Sequence, residues 1–161
     1  MSDRHLYKGH VLNAIDAKGR VAIPASLRSA IERNAEGRLF TIALHAQDPC
    51  LSGYDRGWSN LLHDRLEREE IRERDAGRAF DFHNTNRRAF GTTEELPYDS
   101  SGRFILPAFY RKKAQLDDLA LFIGAGNTFE IWNPRLLLDT PAIDDATKEV
   151  AAFLLDERGA A

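Results

Sequence analysis

Two arginines stand at matching places in this chain. Arg20 closes the stretch "DAKGR", from Asp16, and Arg103 closes "DSSGR", from Asp99, 83 positions later. Each is followed by three apolar residues and a proline, "VAIP" and "FILP". A guanidinium is a planar fork of donors that fits the O6/N7 edge of guanine or a phosphate. The same group would also suit an ion pair, with Asp16 or with the symmetric Asp99. Both uses can coexist, because the turn needs the aspartate for a local reason: its side chain accepts hydrogen bonds from the backbone that follows. Gly19 and Gly102 supply the positive φ that a residue with a Cβ resists. Asp16, Gly19, Asp99 and Gly102 are therefore turn-structural. The turn does not require an arginine, which makes Arg20 and Arg103 the candidates for a contact outside the fold.

Lys18 lies inside the first turn where the second has Ser101. The first copy is thus the more basic and is expected to be the main reader of a polyanion. Lys8, His10 and Arg28 are its candidate phosphate neighbours, ordinary solvated charge being the other reading. Arg87 and Arg88 fit either nucleic acid or a contact between subunits. Arg111, Lys112 and Lys113 read as a basic helix face.

The elements that must position these residues come in two copies. "DAKGRVAIPASLR" (16–28) lies over "DSSGRFILPAFYR" (99–111), "LFTIAL" (39–44) over "LALFIG" (119–124), and "CLSGYD" (50–55) over "FEIWNP" (129–134). Within each unit the sequence predicts a β-hairpin about the Asp-x-x-Gly turn, 10–15 with 20–24 in the first copy. A short helix follows the proline, over 25–34 and 108–116, since proline cannot donate to a ladder but suits a first helical turn. A second strand pair then follows, 39–45 with 50–54 and 119–124 with 128–132. A long helix is expected from about Trp58 to Asp75, with Trp58, Leu62 and Leu66 on one stripe, and a terminal helix over about 142–157. Two units of roughly 45 residues cannot each bury a core, but two interlocked ones can. The expected fold is α+β and mostly β, a pseudo-twofold double-hairpin barrel from two repeats with peripheral helices. Its parts are a first repeat over 10–54, a connecting helix over 55–83, a second repeat over 88–132 and a helical acidic tail over 133–161.

Composition narrows the function. The 161 residues are 43% hydrophobic and 29% charged, with a net charge of −3 that is unevenly spread. Residues 4–38 and 87–113, which hold the two turns, carry +4 and +3, whereas 39–86 and 114–161 carry −3 and −6. It is this distribution that decides where a polyanion docks. No apolar run approaches the roughly 20 residues of a membrane span. No secretory h-region opens the chain, so a cytoplasmic location is expected. One cysteine, Cys50, excludes an internal disulfide and argues against a cysteine-built zinc site. His5, His45, His63 and His83 show no metal-ligand spacing. Without a phosphate-cradling glycine loop or a nucleophile elbow, neither an enzyme nor a cofactor is expected.

The segments "YKGHVLNAIDAKGRVAIPASLR" and "NRRAFGTTEELPYDSSGRFILPAFYRKKAQLDDLALFIGAGNTFEIWNP" closely resemble the MraZ family of bacterial transcriptional regulators, over residues 7 to 138. That family has two AbrB-like swapped-hairpin repeats, each with an Asp-x-x-Gly-Arg turn. Asp55 stands where the family commonly has a proline. The resemblance implies a nucleoid-associated regulator of the division and cell-wall gene cluster that binds double-stranded DNA. Its targets would be short G-rich direct repeats upstream of its own gene, bound by a ring-shaped homo-oligomer. The DNA-contacting arginine would be Arg20 in the first motif and Arg103 in the second. No membrane or small-molecule substrate is implied. The alternative reading is an assembly module with an antitoxin-like barrel, for which the acidic tail would be an interaction arm.

Overall fold

The computed structural model describes residues 3–159; residues 160–161, the end of the expected acidic tail, lie outside the described part, as do residues 1–2. The first repeat runs β1 (His10–Ala14), β2 (Arg20–Ala22), α1 (Ala25–Asn34), β3 (Leu39–Leu44) and β4 (Leu51–Tyr54). Then come the long α2 (Arg56–Asp75), the short α3 (Phe82–Asn86) and a π-helical turn over Arg87–Gly91. The second repeat is β5 (Glu94–Pro97), β6 (Arg103–Ile105), α4 (Ala108–Lys113), β7 (Leu119–Gly124) and β8 (Phe129–Trp132). It is followed by α5 (Pro134–Leu138) and α6 (Asp145–Glu157).

The expected local hairpins are corrected by the structure. The first turn closes, with the Asp16 N–H donating to the Arg20 carbonyl at 3.0 Å, but the ladder stops there. β1 pairs antiparallel with β7, from His10 opposite Ile123 to Ala14 opposite Leu119, and β2 pairs antiparallel with β6. The result is a six-stranded sheet in the order β1-β7-β8-β4-β3-β5 and a separate two-stranded ribbon, β2-β6. The physical reason is burial. A lone two-stranded hairpin is marginal in water, and strands of three residues have little ladder to offer. Exchange between repeats puts Val21 opposite Phe104 with both side chains in the core. The strand pairs β3–β4 and β7–β8 form as the sequence predicts.

Alternation along the strands gives the sheet two apolar faces. On the inner face Phe40, Ile42, Phe122, Phe129 and Ile131 meet the ribbon and the α1 residues Leu27 and Ile31. On the outer face Leu12, Leu121 and Trp132 pack against Leu137 of α5 and against Ala151 and Leu155 of α6. The other half of that face, at Ala43 and Tyr54, receives Trp58 and Leu62 from the start of α2. The stripe read from the sequence is real, yet Trp58 is the one α2 residue that is buried. α6 starts at Asp145 rather than at 142, because the Asp144 carboxylate caps it by accepting from the Thr147 N–H at 2.8 Å.

Asp55, where the resemblance led to proline, is fully buried. Its carboxylate caps α2 by accepting from the Trp58 N–H at 3.0 Å. It also accepts two bonds from the Arg4 guanidinium, at 3.1 and 2.8 Å, and one from the Tyr7 hydroxyl at 2.6 Å. Burial works to raise its pKa, but these donors outweigh it and hold the carboxyl below the ordinary aspartate value. The N-terminal segment, α2 and the sheet thus meet on one charge. Removing one partner of a buried pair leaves the others unsatisfied. Asp55→Ala is therefore expected to cost about 3 kcal/mol in urea denaturation.

Candidate nucleic-acid interface

The two turns are built alike atom for atom. Asp16 Oδ1 accepts from the N–H groups of Lys18 and Arg20, both at 2.9 Å, and its Oδ2 accepts from Arg20 Nε at 2.7 Å. Asp99 Oδ1 accepts from Ser101 at 2.9 Å and Arg103 at 3.0 Å, and its Oδ2 from Arg103 Nε at 2.9 Å. Backbone donation, from Arg20 and Arg103 first, lowers both carboxyl pKa values. The ion pair weighed for Arg20 thus exists, with Asp16 rather than Asp99. It uses only the Nε side of the guanidinium. Both Nη groups of Arg20 and of Arg103 are left with no hydrogen bond among the described residues. Each fork is held at its base and open at its tip.

The exchanged ribbon brings the two forks onto one surface. Cross-strand partners share a face, so Arg20 with Ile105 and Ala22 with Arg103 point one way, and Val21 with Phe104 points into the core. Arg20 and Arg103 are diagonal neighbours in this register, roughly 7–8 Å apart at their Cα atoms. Their side chains are 46% and 59% exposed. Ile105, 65% exposed, sits opposite Arg20 on the same face. No sequence signal marked Ile105, since an apolar residue in a strand reads as core until its partner's register is known.

Each turn is also backed by the other repeat. The Gly19 carbonyl accepts from Leu106 N–H and the Gly102 carbonyl from Ile23 N–H, both at 2.9 Å. Arg28 Nη1 donates to the Ser100 carbonyl inside the second turn, at 3.1 Å. Its counterpart Arg111 donates to the carbonyls of Leu116 and Asp117 and lies beside Gly19. Arg28, grouped with the phosphate neighbours in the sequence, here braces a turn. Lys8 and His10 are exposed but sit at the far end of β1, on the order of 20 Å along the strand from the first turn. Lys18 stays at the turn, exposed, with its backbone N–H on Asp16.

A titratable cluster invisible in the sequence lies on the outer side of the sheet. His45, Cys50 and Glu130 place one possible ligand atom each within 4.8 Å of one another. His45 and Cys50 come from the two ends of the connection between β3 and β4, and Glu130 from β8, the strand beside β4, so linear spacing gives no hint. Both imidazole nitrogens are engaged by the chain. Nδ1 accepts from the N–H groups of Gln47 and Asp48, at 3.1 and 2.9 Å, and Nε2 faces Glu130 at 3.2 Å. Glu130 accepts in turn from Trp132 Nε1 at 2.8 Å. This is a hydrogen-bonded strut between strand ends.

The chain belongs to the MraZ family, which is described as antitoxin-like; the family model matches residues 6–81 and 89–136. Among curated proteins it is 32% identical over 129 residues to the transcriptional regulator MraZ of Azotobacter vinelandii, covering 80% of each chain. To the protein of the same name from Pseudoalteromonas atlantica it is 34% identical over 157 residues, covering 95% of this chain and 96% of that one. The Cupriavidus pinatubonensis protein of that name is 34% identical over 128 residues, 80% of this chain and 82% of its own.

Two outcomes follow from the turns. Both glycines have positive φ, +80° at Gly19 and +84° at Gly102, but only at Gly102 would a Cβ lie 2.6 Å from a backbone atom, the Ile23 carbonyl oxygen. Gly19→Ala is expected to cost about 1–2 kcal/mol for the left-handed conformation alone, and Gly102→Ala distinctly more, in urea denaturation of the two variants side by side. A carboxylate with a depressed folded pKa contributes stability above its unfolded pKa and loses it as pH falls through the folded one. The turns should therefore hold from neutral pH to below the ordinary aspartate value of 3.8. NMR shifts of the Lys18 and Ser101 amides during acid titration check this, and turn opening above that pH would contradict it.

Proposed function

We propose that this chain is a sequence-specific DNA-binding transcriptional regulator of the division and cell-wall gene cluster, not an enzyme. It binds short G-rich direct repeats upstream of its own gene as a ring-shaped homo-oligomer and works in the cytoplasm at the nucleoid. One observation carries this reading. Two exposed guanidinium groups stand on one face of the ribbon, each pinned by its turn aspartate at Nε with both Nη groups open. A fork oriented in advance loses little freedom when it engages guanine O6 and N7 bidentately. The relatives' shared name, transcriptional regulator MraZ, points the same way.

In this reading Arg20 and Arg103 contact bases, and Lys18 contacts phosphate beside Arg20. Ile105 sits opposite Arg20 and two residues along the strand from Arg103, where an apolar side chain meets a thymine methyl group. One protomer makes few base contacts, so affinity comes from several ribbons engaging successive repeats at once.

Gel shift on the DNA upstream of the gene, at stated salt, tests the assignment. Arg20→Ala should weaken the specific complex by at least about tenfold with the oligomer unchanged on gel filtration. Arg103→Ala should weaken it as well. Lys18→Ala should reduce the salt dependence by about one counterion per engaged copy without altering sequence preference. Wild-type affinity in Arg20→Ala would remove the role given to that arginine.

A further inference from the structure

A cavity of about 370 Å³ opens on the outer face of the sheet, between α2 and the π-helical turn, away from the ribbon. Ala43, Tyr54, Trp58, Leu62, Leu66 and Ala89 make its wall predominantly apolar. Charge is confined to His45 and Arg88 in the lining. The two differ in what they have left to offer. The ring nitrogens of His45 are occupied by backbone amides and by Glu130. Arg88 gives one bond, from Nη2 to the His45 carbonyl at 2.9 Å, and has no carboxylate partner among the described residues. It is a cation at the edge of an apolar hollow, fixed at one nitrogen. We propose that this cavity binds a small molecule with an apolar body and a terminal carboxylate, the body against Trp58 and Leu62 and the carboxylate on Arg88.

Size and chemistry agree with that occupant. Pockets for small ligands run from about 300 to 1,000 Å³, with apolar walls and few placed polar groups. An arginine fork receives a carboxylate bidentately. A cationic ligand would find no carboxylate in the lining to receive it. The α2 helix roofs the site while burying only Trp58, so entry does not require the core to open.

Trp58 is a built-in reporter, since the other tryptophan, Trp132, is fully buried in a separate cluster. The full-length protein is titrated with octanoate, octanol and octylamine while tryptophan fluorescence is followed. Octanoate should give a saturable change and octylamine none. Arg88→Ala should lower octanoate affinity by about tenfold and leave octanol unchanged. Ala43→Phe, which fills the cavity from the sheet side, should abolish binding. The proposal is overturned by a missing octanoate response, by equal octanoate affinity in Arg88→Ala, or by octylamine binding as well as octanoate. It is also overturned if Ala43→Phe changes the oligomer on gel filtration while octanoate never binds, which would make a second copy the occupant. The readout is independent of the Arg20 gel shift, so either assignment can fail alone.

Discussion

Val21 faces Phe104 at the centre of a ladder three residues long, and neither repeat closes its core without the other's strand. Burying two such side chains is worth about 1.5–3 kcal/mol each, which a solitary short hairpin has no means of capturing. The exchange then propagates. β1 lies beside β7 and β5 beside β3, so both outer strands of the six-stranded sheet belong to a different repeat from their neighbours. The duplicated turn is thereby a device for crossing between repeats, and its glycine carbonyls are held by the strand that arrives from the other copy.

The same exchange determines what the arginines can do. In two separate hairpins the forks would face wherever each hairpin happened to pack. In one ribbon, strand parity places both on the solvent side, and the aspartates fix their roll about the side-chain axis. The aspartate serves the backbone and the guanidinium together through its two oxygens. That division of labour resolves the choice between an ion pair and an outward-facing arginine: the pair orients the guanidinium and leaves its Nη edge open. Of Arg28 and Arg111, the last residues of the duplicated stretch, Arg28 reaches across to the Ser100 carbonyl of the opposite turn, whereas Arg111 bonds to the Leu116 and Asp117 carbonyls of its own repeat with its Nη1 beside Gly19.

Much of this was legible in the sequence, and what was not has identifiable causes. The repeat, the Asp-x-x-Gly-Arg turns, α1, the pairs β3–β4 and β7–β8 and the Trp58 stripe are local patterns, and local patterns can be read in order. The partner of β2 is not local: the same residues suit a hairpin or an exchange, and only the demand of two small units for one core favours the latter. Arg28 reads in the sequence as a phosphate neighbour or a solvated charge because its acceptor, the Ser100 carbonyl, is 72 positions away. Ile105 and the His45–Glu130 strut stayed hidden for the same reason, since register and sheet order decide exposure and neighbours. α3, the π-helical turn and α5 are too short to leave a periodicity.

In the proposed function the open Nη edges of Arg20 and Arg103 read guanine. That readout is tested most directly by measuring the affinity of the wild-type protein for the DNA upstream of its gene, with guanine replaced by deazaguanine in the direct repeats. That replacement removes the N7 acceptor and leaves base pairing and backbone charge in place. Guanine readout through N7 predicts a loss of about tenfold or more at fixed salt, with non-specific binding unchanged. Undiminished affinity for the substituted DNA would contradict it.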